Sequence, residues 1–212
     1  MKRILTAWFL CLCMAASSWA APRKWEEPIK PELNPEVQAD GDSFGMTVDG
    51  EKGRRLERTY RLYGVDCPES DPKDPLVWER IQEQAKHFGV PAEQIPAWGK
   101  KAAELTERLL KKGKPKVFTF GRLGEEVQKN KGRRQRHYVL IEVTDQSGAR
   151  RWLHELLLEA GLARAYGEPA PWPEKDLQRD GEKETREQFM KDLRKLESKA
   201  KRDKAGIWRK EG

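Results

Sequence analysis

The chain has 212 residues, enough for one domain with a hydrophobic core behind a short N-terminal export segment. Two of its three cysteines, Cys11 and Cys13, lie in that segment, which leaves Cys67 and excludes an internal disulfide in the mature part. The formal net charge of +7 is uneven, because residues 113–136 contain eight Lys or Arg and two Glu. This basic stretch favours a polyanionic partner, and a solvated surface loop is the alternative.

The N-terminal segment has the features of a cleaved secretory signal peptide. Lys2 and Arg3 precede a mainly apolar run, and Ser18-Trp19-Ala20 provides small residues at positions −3 and −1 of a cleavage site. The apolar run is shorter than the roughly 20 residues of a membrane span, so a retained anchor is the less favoured alternative. We expect residues 1–20 to be removed, which leaves a secreted or periplasmic protein without a stable membrane span.

The first strands follow a segment without periodicity. Residues 21–36 are rich in Pro, Glu and Lys and are predicted to form a flexible lead-in to a domain over residues 37–212. Residues 43–48 and 56–65 have the β-branched and aromatic residues of strands. The turn between them is rich in Asp and Gly, as expected for a hairpin.

A helical insertion is predicted at about residues 70–98. Its helix begins at Asp74-Pro75, a favourable N-cap followed by proline at the first helical position, and apolar residues recur at helical spacing until Gly89. A second helix is predicted over residues 98–112. We expect the insertion to brace the core, and a lid is the alternative.

The remaining elements complete a mixed pattern. Strands are predicted at residues 116–120, 138–143 and 151–153, and a short helix at residues 155–160. A long charged helix that carries Phe189 and Ala200 on its apolar face follows. Short strands, helices, more strands and then helices indicate an α+β fold, built on a small, partly open five-stranded barrel with helices at its ends.

Three carboxylates are candidates for metal chemistry. Asp42, Asp66 and Glu69 are separated in sequence, but they lie in turns and at strand ends, where side chains can converge. Hard oxygen ligands favour Ca²⁺ or Mg²⁺. The three histidines of the chain lack the spacing of zinc ligands. The sequence therefore predicts a hard divalent cation rather than zinc.

Two arginines accompany these carboxylates. Arg61 lies on the strand that ends at Asp66, and Arg136 opens a later strand. Guanidinium groups bind phosphate oxygens bidentately and stay charged. Cleavage of a phosphodiester needs cations that neutralise the charge growing on the phosphoryl oxygens, and a base that activates water. Two arginines, a metal site and a spare glutamate meet these needs, whereas surface ion pairs are the alternative interpretation.

Five motifs in matching order resemble the thermonuclease (staphylococcal-nuclease-like) family. They are Asp40-Gly41-Asp42-Ser43, Arg61 through Glu69, Arg136 at the start of a strand, Leu156 through Ala163, and Gly206-Ile207-Trp208. The resemblance extends from about residue 37 to residue 208. It implies a five-stranded OB-fold β-barrel with flanking helices. It also implies Ca²⁺-dependent hydrolysis of phosphodiester bonds in DNA and RNA, with Mg²⁺ or another divalent cation as the alternative cofactor.

The resemblance implies roles for the acidic stretch. Asp42 and Asp66 would bind the metal through their carboxylates. Cys67 stands where the family usually has threonine and would bind the metal through its backbone carbonyl, which the substitution leaves in place. Glu69 would act as the general base or orient the attacking water.

The resemblance also implies the groups that hold the nucleic acid. Arg61 and Arg136 would bind the scissile phosphate and stabilise the transition state. The family usually has a Tyr-Gly-Arg-like turn before the later strand, so Arg133 or Arg134 is the functional equivalent if the loop register differs. Tyr166 lies near the position where the family has aromatic contacts to nucleic acid. Arg133, Arg134 and Tyr166 are therefore candidates for nucleic-acid binding.

The favoured prediction is an exported nuclease of low sequence specificity, with a monomer as the favoured state. A catalytically inactive OB-fold module that binds nucleic acid is the main alternative. A basic, envelope-associated interaction protein is a weaker third. The presence of Arg61, Asp42, Asp66 and Glu69 together favours the enzyme, because a site that has lost its activity is free to lose such residues.

Overall fold

A computed structural model describes residues 29–34, 40–49, 54–73, 75–122, 136–167, 178–179, 182–183 and 185–209. The predicted signal peptide and most of the predicted hairpin turn lie outside these residues. The described strands are β1 (Ile29–Asn34), β2 (Ser43–Asp49), β3 (Arg55–Leu62), β4 (Val65–Asp66), β5 (Lys116–Arg122), β6 (Arg136–Thr144), β7 (Arg150–Trp152), β8 (Arg164–Ala165), β9 (Gln178–Arg179) and β10 (Glu182–Lys183). The described helices are α1 (Pro75–Phe88), α2 (Ile95–Lys112), α3 (Leu153–Glu159) and α4 (Arg186–Arg202), with 3₁₀ turns at Ala92–Gln94 and Gly206–Trp208.

A curled sheet forms the centre of the described structure. Its strands follow the order β1-β2-β3-β6-β5, and β7 pairs with the end of β6. The β3–β6 pair is parallel, whereas β2–β3, β5–β6 and β6–β7 are antiparallel. Apolar residues of the strands, α2 and α3 form one buried cluster, which includes Phe44, Leu62, Ile141, Ala102 and Leu157. This half-barrel with packed helices confirms the predicted α+β OB-fold.

The edge strand β1 differs from the sequence prediction. The described part of the predicted flexible lead-in, Ile29–Asn34, pairs antiparallel with β2. An edge strand is held by main-chain hydrogen bonds to one neighbour, so it needs no alternating apolar pattern. Pro31, which cannot donate a hydrogen bond, is tolerated at such an edge. Composition therefore gave no signal for this strand.

The predicted strand over residues 56–65 is interrupted. β3 ends at Leu62, a turn follows at Tyr63-Gly64, and β4 contains Val65–Asp66. Gly64 has a φ of 79°, in the left-handed region that glycine adopts without a steric penalty. β4 then pairs antiparallel with β8, and this register places Asp66 opposite Arg164. The break therefore takes Asp66 out of the central sheet.

The helices agree closely with their predicted bounds. α1 begins at Pro75 and ends before Gly89, and α2 begins at Ile95, three residues before the predicted start. The apolar residues of α1 form a second cluster with the C-terminal turn, which includes Ile81, Phe88 and Trp208. The insertion therefore packs against the body of the protein, as a brace would. In the part of the chain that the structure describes, none of the helices has the length and apolar character needed to cross a membrane.

Candidate active site

Asp42 lies in the turn before β2, and the surrounding chain holds it from three sides. Its backbone carbonyl accepts a hydrogen bond from Leu62 N at 2.8 Å, and its Oδ2 accepts one from Cys67 N at 2.5 Å. Thr106 of α2 donates its hydroxyl to the neighbouring Gly41 carbonyl at 2.6 Å. The Asp42 side chain is fully buried. The turn therefore presents this carboxylate to the interior.

Arg61 joins the two carboxylates that are predicted to bind a metal. Its Nη1 lies 2.8 Å from Asp42 Oδ1, and its Nη2 lies 2.7 Å from Asp66 Oδ1. The Ser43 hydroxyl donates to Asp42 Oδ1 at 3.0 Å and accepts from Arg61 Nη1 at 3.3 Å. Asp42, Asp66 and Arg61 thus form one continuous ionic cluster at the ends of β2, β3 and β4.

Asp66 is the centre of this cluster and has no exposed surface. Its Oδ1 accepts from Arg61 at 2.7 Å and from Arg80 at 2.6 Å. Its Oδ2 accepts from Arg164 Nε and from Gln84 Nε2, each at 2.9 Å. Burial alone would raise the pKa of Asp66, but the charges of the three guanidinium groups and the Gln84 hydrogen bond together lower it. Asp66 is therefore ionised in the folded protein at neutral pH.

Glu69 lies in the loop after β4, between α1 and α2. Its Oε1 is 3.0 Å from Arg80 Nη2, and its N–H donates to Gln84 Oε1 at 2.9 Å. On the other side, Gly99 of α2 approaches so closely that a Cβ there would lie 2.5 Å from the Pro68 carbonyl oxygen and 2.6 Å from that of Glu69. Two helices therefore fix the position of this glutamate.

The environment of Glu69 suits a group that exchanges a proton with water. Burial raises the pKa of Glu69, and the charges of Asp42 and Asp66 raise it further, against the opposing charge of Arg80. A general base is most effective when its pKa lies closer to the working pH than that of an ordinary glutamate. The Glu69 side chain keeps 13% of its surface exposed, whereas Asp66 has none. Water can therefore reach Glu69.

The surroundings of the Asp42 carboxylate indicate whether a divalent cation fits this site. Burial raises the pKa of Asp42 well above its usual value, and the charges of Asp40 and Asp66 add to this effect, against the opposing charge of Arg61. A divalent cation would favour the ionised form of this buried carboxylate, and carboxylate and carbonyl oxygens are the ligands that Ca²⁺ and Mg²⁺ prefer. The donor chemistry therefore fits a hard divalent cation. Within the described residues, no three His, Cys, Asp or Glu side chains are grouped as a metal site.

Cys67 contributes its main chain to the cluster. Its N–H donates to Asp42, and its carbonyl accepts a hydrogen bond from Gln84 Nε2 at 2.8 Å. Burial raises the pKa of the Cys67 thiol well above its usual value, and the nearby charges of Asp42 and Asp40 add to this. A protonated thiol is a poor metal ligand. The backbone carbonyl is thus the group through which this residue would meet a cation.

The structure describes the backbone position of Arg136, the second predicted phosphate-binding arginine. Arg136 opens β6, where it is paired with Thr59 of β3, two residues before Arg61. Arg133 and Arg134 lie outside the described residues. The choice among these three arginines therefore stays a prediction.

Tyr166 follows β8 and is 39% exposed. Its N–H donates to the Gly64 carbonyl at 2.9 Å, and the guanidinium carbon of Arg164 lies 4.9 Å from its ring centre. Because Arg164 also binds Asp66, one residue connects Tyr166 to the ionic cluster. An exposed aromatic ring at this position suits the stacking of a base.

Three residues of the site were not predicted. Arg80 and Gln84 come from α1, and Arg164 comes from β8, directly opposite Asp66. The sequence signals were a glutamine beside the apolar stripe of α1, for Gln84, and an arginine inside the apolar stretch that ends at Ala165, for Arg164. Those signals show burial, but they do not show which residues lie opposite.

A comparison with family models finds a match to the family described as staphylococcal nuclease homologue over residues 59–210. The chain belongs to this family. Membership of the staphylococcal nuclease homologues suggests a nuclease-like hydrolase with a nucleic-acid substrate. The match includes Arg61, Asp66 and Glu69 and begins after Asp42, whose place in the site rests on its 2.8 Å contact with Arg61. A search of curated proteins gave no significant match.

Proposed function

We propose that this staphylococcal nuclease homologue is an exported, Ca²⁺-dependent endonuclease that hydrolyses phosphodiester bonds in DNA and RNA with low sequence specificity. The observation that supports this most is the partly exposed carboxylate of Glu69, which lies beside the buried cluster in which Arg61 joins Asp42 to Asp66. Contacts to phosphates carry no base information, so low sequence specificity follows from a site of this chemistry.

The cation would be held by the carboxylates of Asp42 and Asp66 and by the carbonyl of Cys67. Ca²⁺ is the proposed ion, with Mg²⁺ or another divalent cation as the alternative. When bound, such an ion neutralises charge on the phosphoryl oxygens. Asp66 suits this role because its lowered pKa keeps it ionised at neutral pH.

Glu69 would take the proton of the attacking water while the water oxygen forms a bond to phosphorus and the bond to the leaving sugar oxygen breaks. Arg61 would donate hydrogen bonds to the phosphoryl oxygens, in exchange for part of its present contact with Asp42 or Asp66. Arg136 would bind the same phosphate from the neighbouring strand. Tyr166, Arg133 and Arg134 would contact the nucleic acid next to it.

Export is supported by the signal-like sequence of residues 1–20. Expression of the full chain in a bacterial host, followed by mass measurement of the exported protein, tests it. The expected N-terminus of the mature protein is Ala21. An intact N-terminus in the membrane fraction would instead support the retained anchor.

A cleavage assay tests the activity. Mature protein is incubated with plasmid DNA or with RNA, in Ca²⁺ or in chelator. We expect calcium-dependent degradation that Glu69→Gln reduces by about 100-fold or more, because proton transfer to a positioned base contributes that much. Glu79→Gln, at an exposed glutamate of α1, is the matched control and should leave the rate unchanged.

The same assay discriminates the alternative function. Binding of nucleic acid without cleavage in any divalent cation would favour an inactive OB-fold binding module. Separate Arg133→Ala, Arg134→Ala and Arg136→Ala variants identify the second phosphate-binding arginine. A fully active Arg136→Ala variant would assign that role to Arg133 or Arg134.

A further inference from the structure

Gln84 of α1 uses its whole side-chain amide on the loop that carries the proposed catalytic residues. Its Nε2 donates to Asp66 Oδ2 at 2.9 Å and to the Cys67 carbonyl at 2.8 Å. Its Oε1 accepts from Glu69 N at 2.9 Å. Both donors and the acceptor of this fully buried amide are thus satisfied by residues 66–69.

Arg80 precedes Gln84 by one helical turn and contacts the side chains of the same loop. Its Nη2 lies 2.6 Å from Asp66 Oδ1 and 3.0 Å from Glu69 Oε1. One guanidinium nitrogen therefore joins the proposed metal ligand to the proposed base. Residues four apart lie on the same side of a helix, so two consecutive turns of α1 contact this loop.

The apolar face of α1 makes this arrangement rigid. Ile81, Ala85 and Phe88 pack in the cluster that contains Ile207 and Trp208. A polar group on a helix anchored in this way keeps its position well, since sites supported by packed elements are held more accurately than sites on loops. Next to this loop, the strand pairing is short: β4 pairs with β8 at Val65 and Asp66.

We propose that α1 is part of the catalytic centre, with Gln84 and Arg80 as positioning residues that hold Glu69 for the attacking water. Gln84 fixes the main chain of Glu69, and Arg80 fixes its carboxylate. The inference rests on the proposed nuclease function. It also gives the insertion a role in turnover in addition to its role as a brace.

Hydrogen exchange tests the positioning without reference to activity. Gln84→Met keeps the length of the side chain and removes its three hydrogen bonds. In this variant we expect the Glu69 amide to exchange about tenfold faster or more, because its acceptor is lost. Gln82→Met is the matched control at an exposed glutamine of α1 and should leave that exchange unchanged. Unchanged exchange in Gln84→Met would overturn the inference.

Steady-state kinetics tests the catalytic consequence. We expect Gln84→Met to lower kcat by about 10- to 100-fold, as substitutions of groups that orient catalytic ligands do, with little change in KM. Arg80→Gln should also lower kcat more than it raises KM. Arg80 is 39% exposed, so this variant is expected to fold even if Gln84→Met does not. Lys86→Gln, at an exposed cation of α1, is the charge control.

The possible outcomes distinguish the positioning role of α1 from the proposed nuclease function. A reduced melting temperature with unchanged kcat in both variants would assign α1 a purely structural role and overturn the inference. A raised KM with unchanged kcat in Arg80→Gln would make Arg80 a substrate contact and contradict its positioning role. A wild-type protein that cleaves no nucleic acid would contradict the proposed function. The exchange pattern of Glu69 would then still decide whether Gln84 holds the loop.

Discussion

Arg164 contacts two carboxylates that should differ strongly in what they contribute to stability, because one is buried among three guanidinium groups and the other is exposed. Its guanidinium contacts Asp66 Oδ2 through Nε and Glu83 Oε1 through Nη2, and both distances are 2.9 Å. The Asp66 side chain is fully buried, whereas that of Glu83 is 57% exposed. We expect Asp66→Asn to destabilise the metal-free protein far more than Glu83→Gln does.

The magnitudes follow from the solvent around each carboxylate and from the number of its charged partners. Removing one partner of a buried pair leaves the other charge without compensation and costs about 3–5 kcal/mol. In Asp66→Asn, the guanidinium groups of Arg61, Arg80 and Arg164 would lose their common anion. The Glu83 end of the other pair is screened by water, and Arg164 keeps its contact with Asp66, so Glu83→Gln should cost about 0.2–1 kcal/mol. Equal distances should therefore give unequal free energies of unfolding.

The pH dependence follows from the lowered pKa of Asp66. Burial opposes ionisation, but the neighbouring arginines outweigh it, so the folded protein binds this proton less readily than the unfolded chain does. The stabilisation is complete above the unfolded pKa of about 3.9 and is lost as the pH falls through the folded pKa. The difference between wild type and Asp66→Asn should thus be constant near neutrality and shrink below about pH 4.

Urea unfolding in chelator, followed by tryptophan fluorescence, measures these differences. With m-values of about 1–3 kcal/mol/M, Asp66→Asn should lower the midpoint by about 1 M or more, and Glu83→Gln by a few tenths. Comparable losses in the two variants would refute the reasoning, because neither the burial of Asp66 nor its larger number of guanidinium partners would then affect the free energy of unfolding. A difference that persists unchanged at pH 3 would refute the assigned ionisation.

Two further predictions concern the packing around the site. Gly99→Ala should reduce both stability and cleavage rate, although alanine normally favours a helix by about 1 kcal/mol, because its Cβ would lie 2.5 Å from the Pro68 carbonyl oxygen. Urea unfolding and the cleavage assay measure this, and a more stable Gly99→Ala variant would contradict the contact. Cys67 should resist iodoacetamide at pH 8 in the folded protein and react in urea, because it is buried and its pKa is raised. Rapid labelling of the folded protein, read by mass, would contradict this.

The strands and helices with an internal pattern were predictable from the sequence. Alternating and β-branched residues marked β2, β5 and β6, and apolar residues at helical spacing marked α1 and α4. β1 carries no such pattern, since its pairing with β2 is made by the main chain. The break in the strand at Gly64 was also not predicted, because whether a glycine inside a strand pattern adopts a positive φ depends on the packing around it.

The site was predictable where its residues lie at strand ends in a recognisable motif. Arg61, Asp66 and Glu69 fall within nine consecutive residues, so their proximity is local. Gln84 and Arg164 reach Asp66 from 18 and 98 positions away, respectively. Those contacts depend on how α1 and β8 pack against the sheet, and no local pattern of sequence encodes that.

The burial of the ionic cluster also changes which residue is the best evidence for catalytic activity. Asp42, Asp66 and Arg61 are buried and mutually paired, so losing any one of them would leave a buried charge uncompensated and destabilise the fold. A protein without activity would still be under pressure to keep them, and their presence therefore speaks for stability as much as for turnover. Glu69 differs, because it is partly exposed and its described ion pair is with the half-buried Arg80. Its removal should cost little stability and most of the cleavage rate, which makes Glu69→Gln the substitution that best distinguishes the enzyme from the binding module.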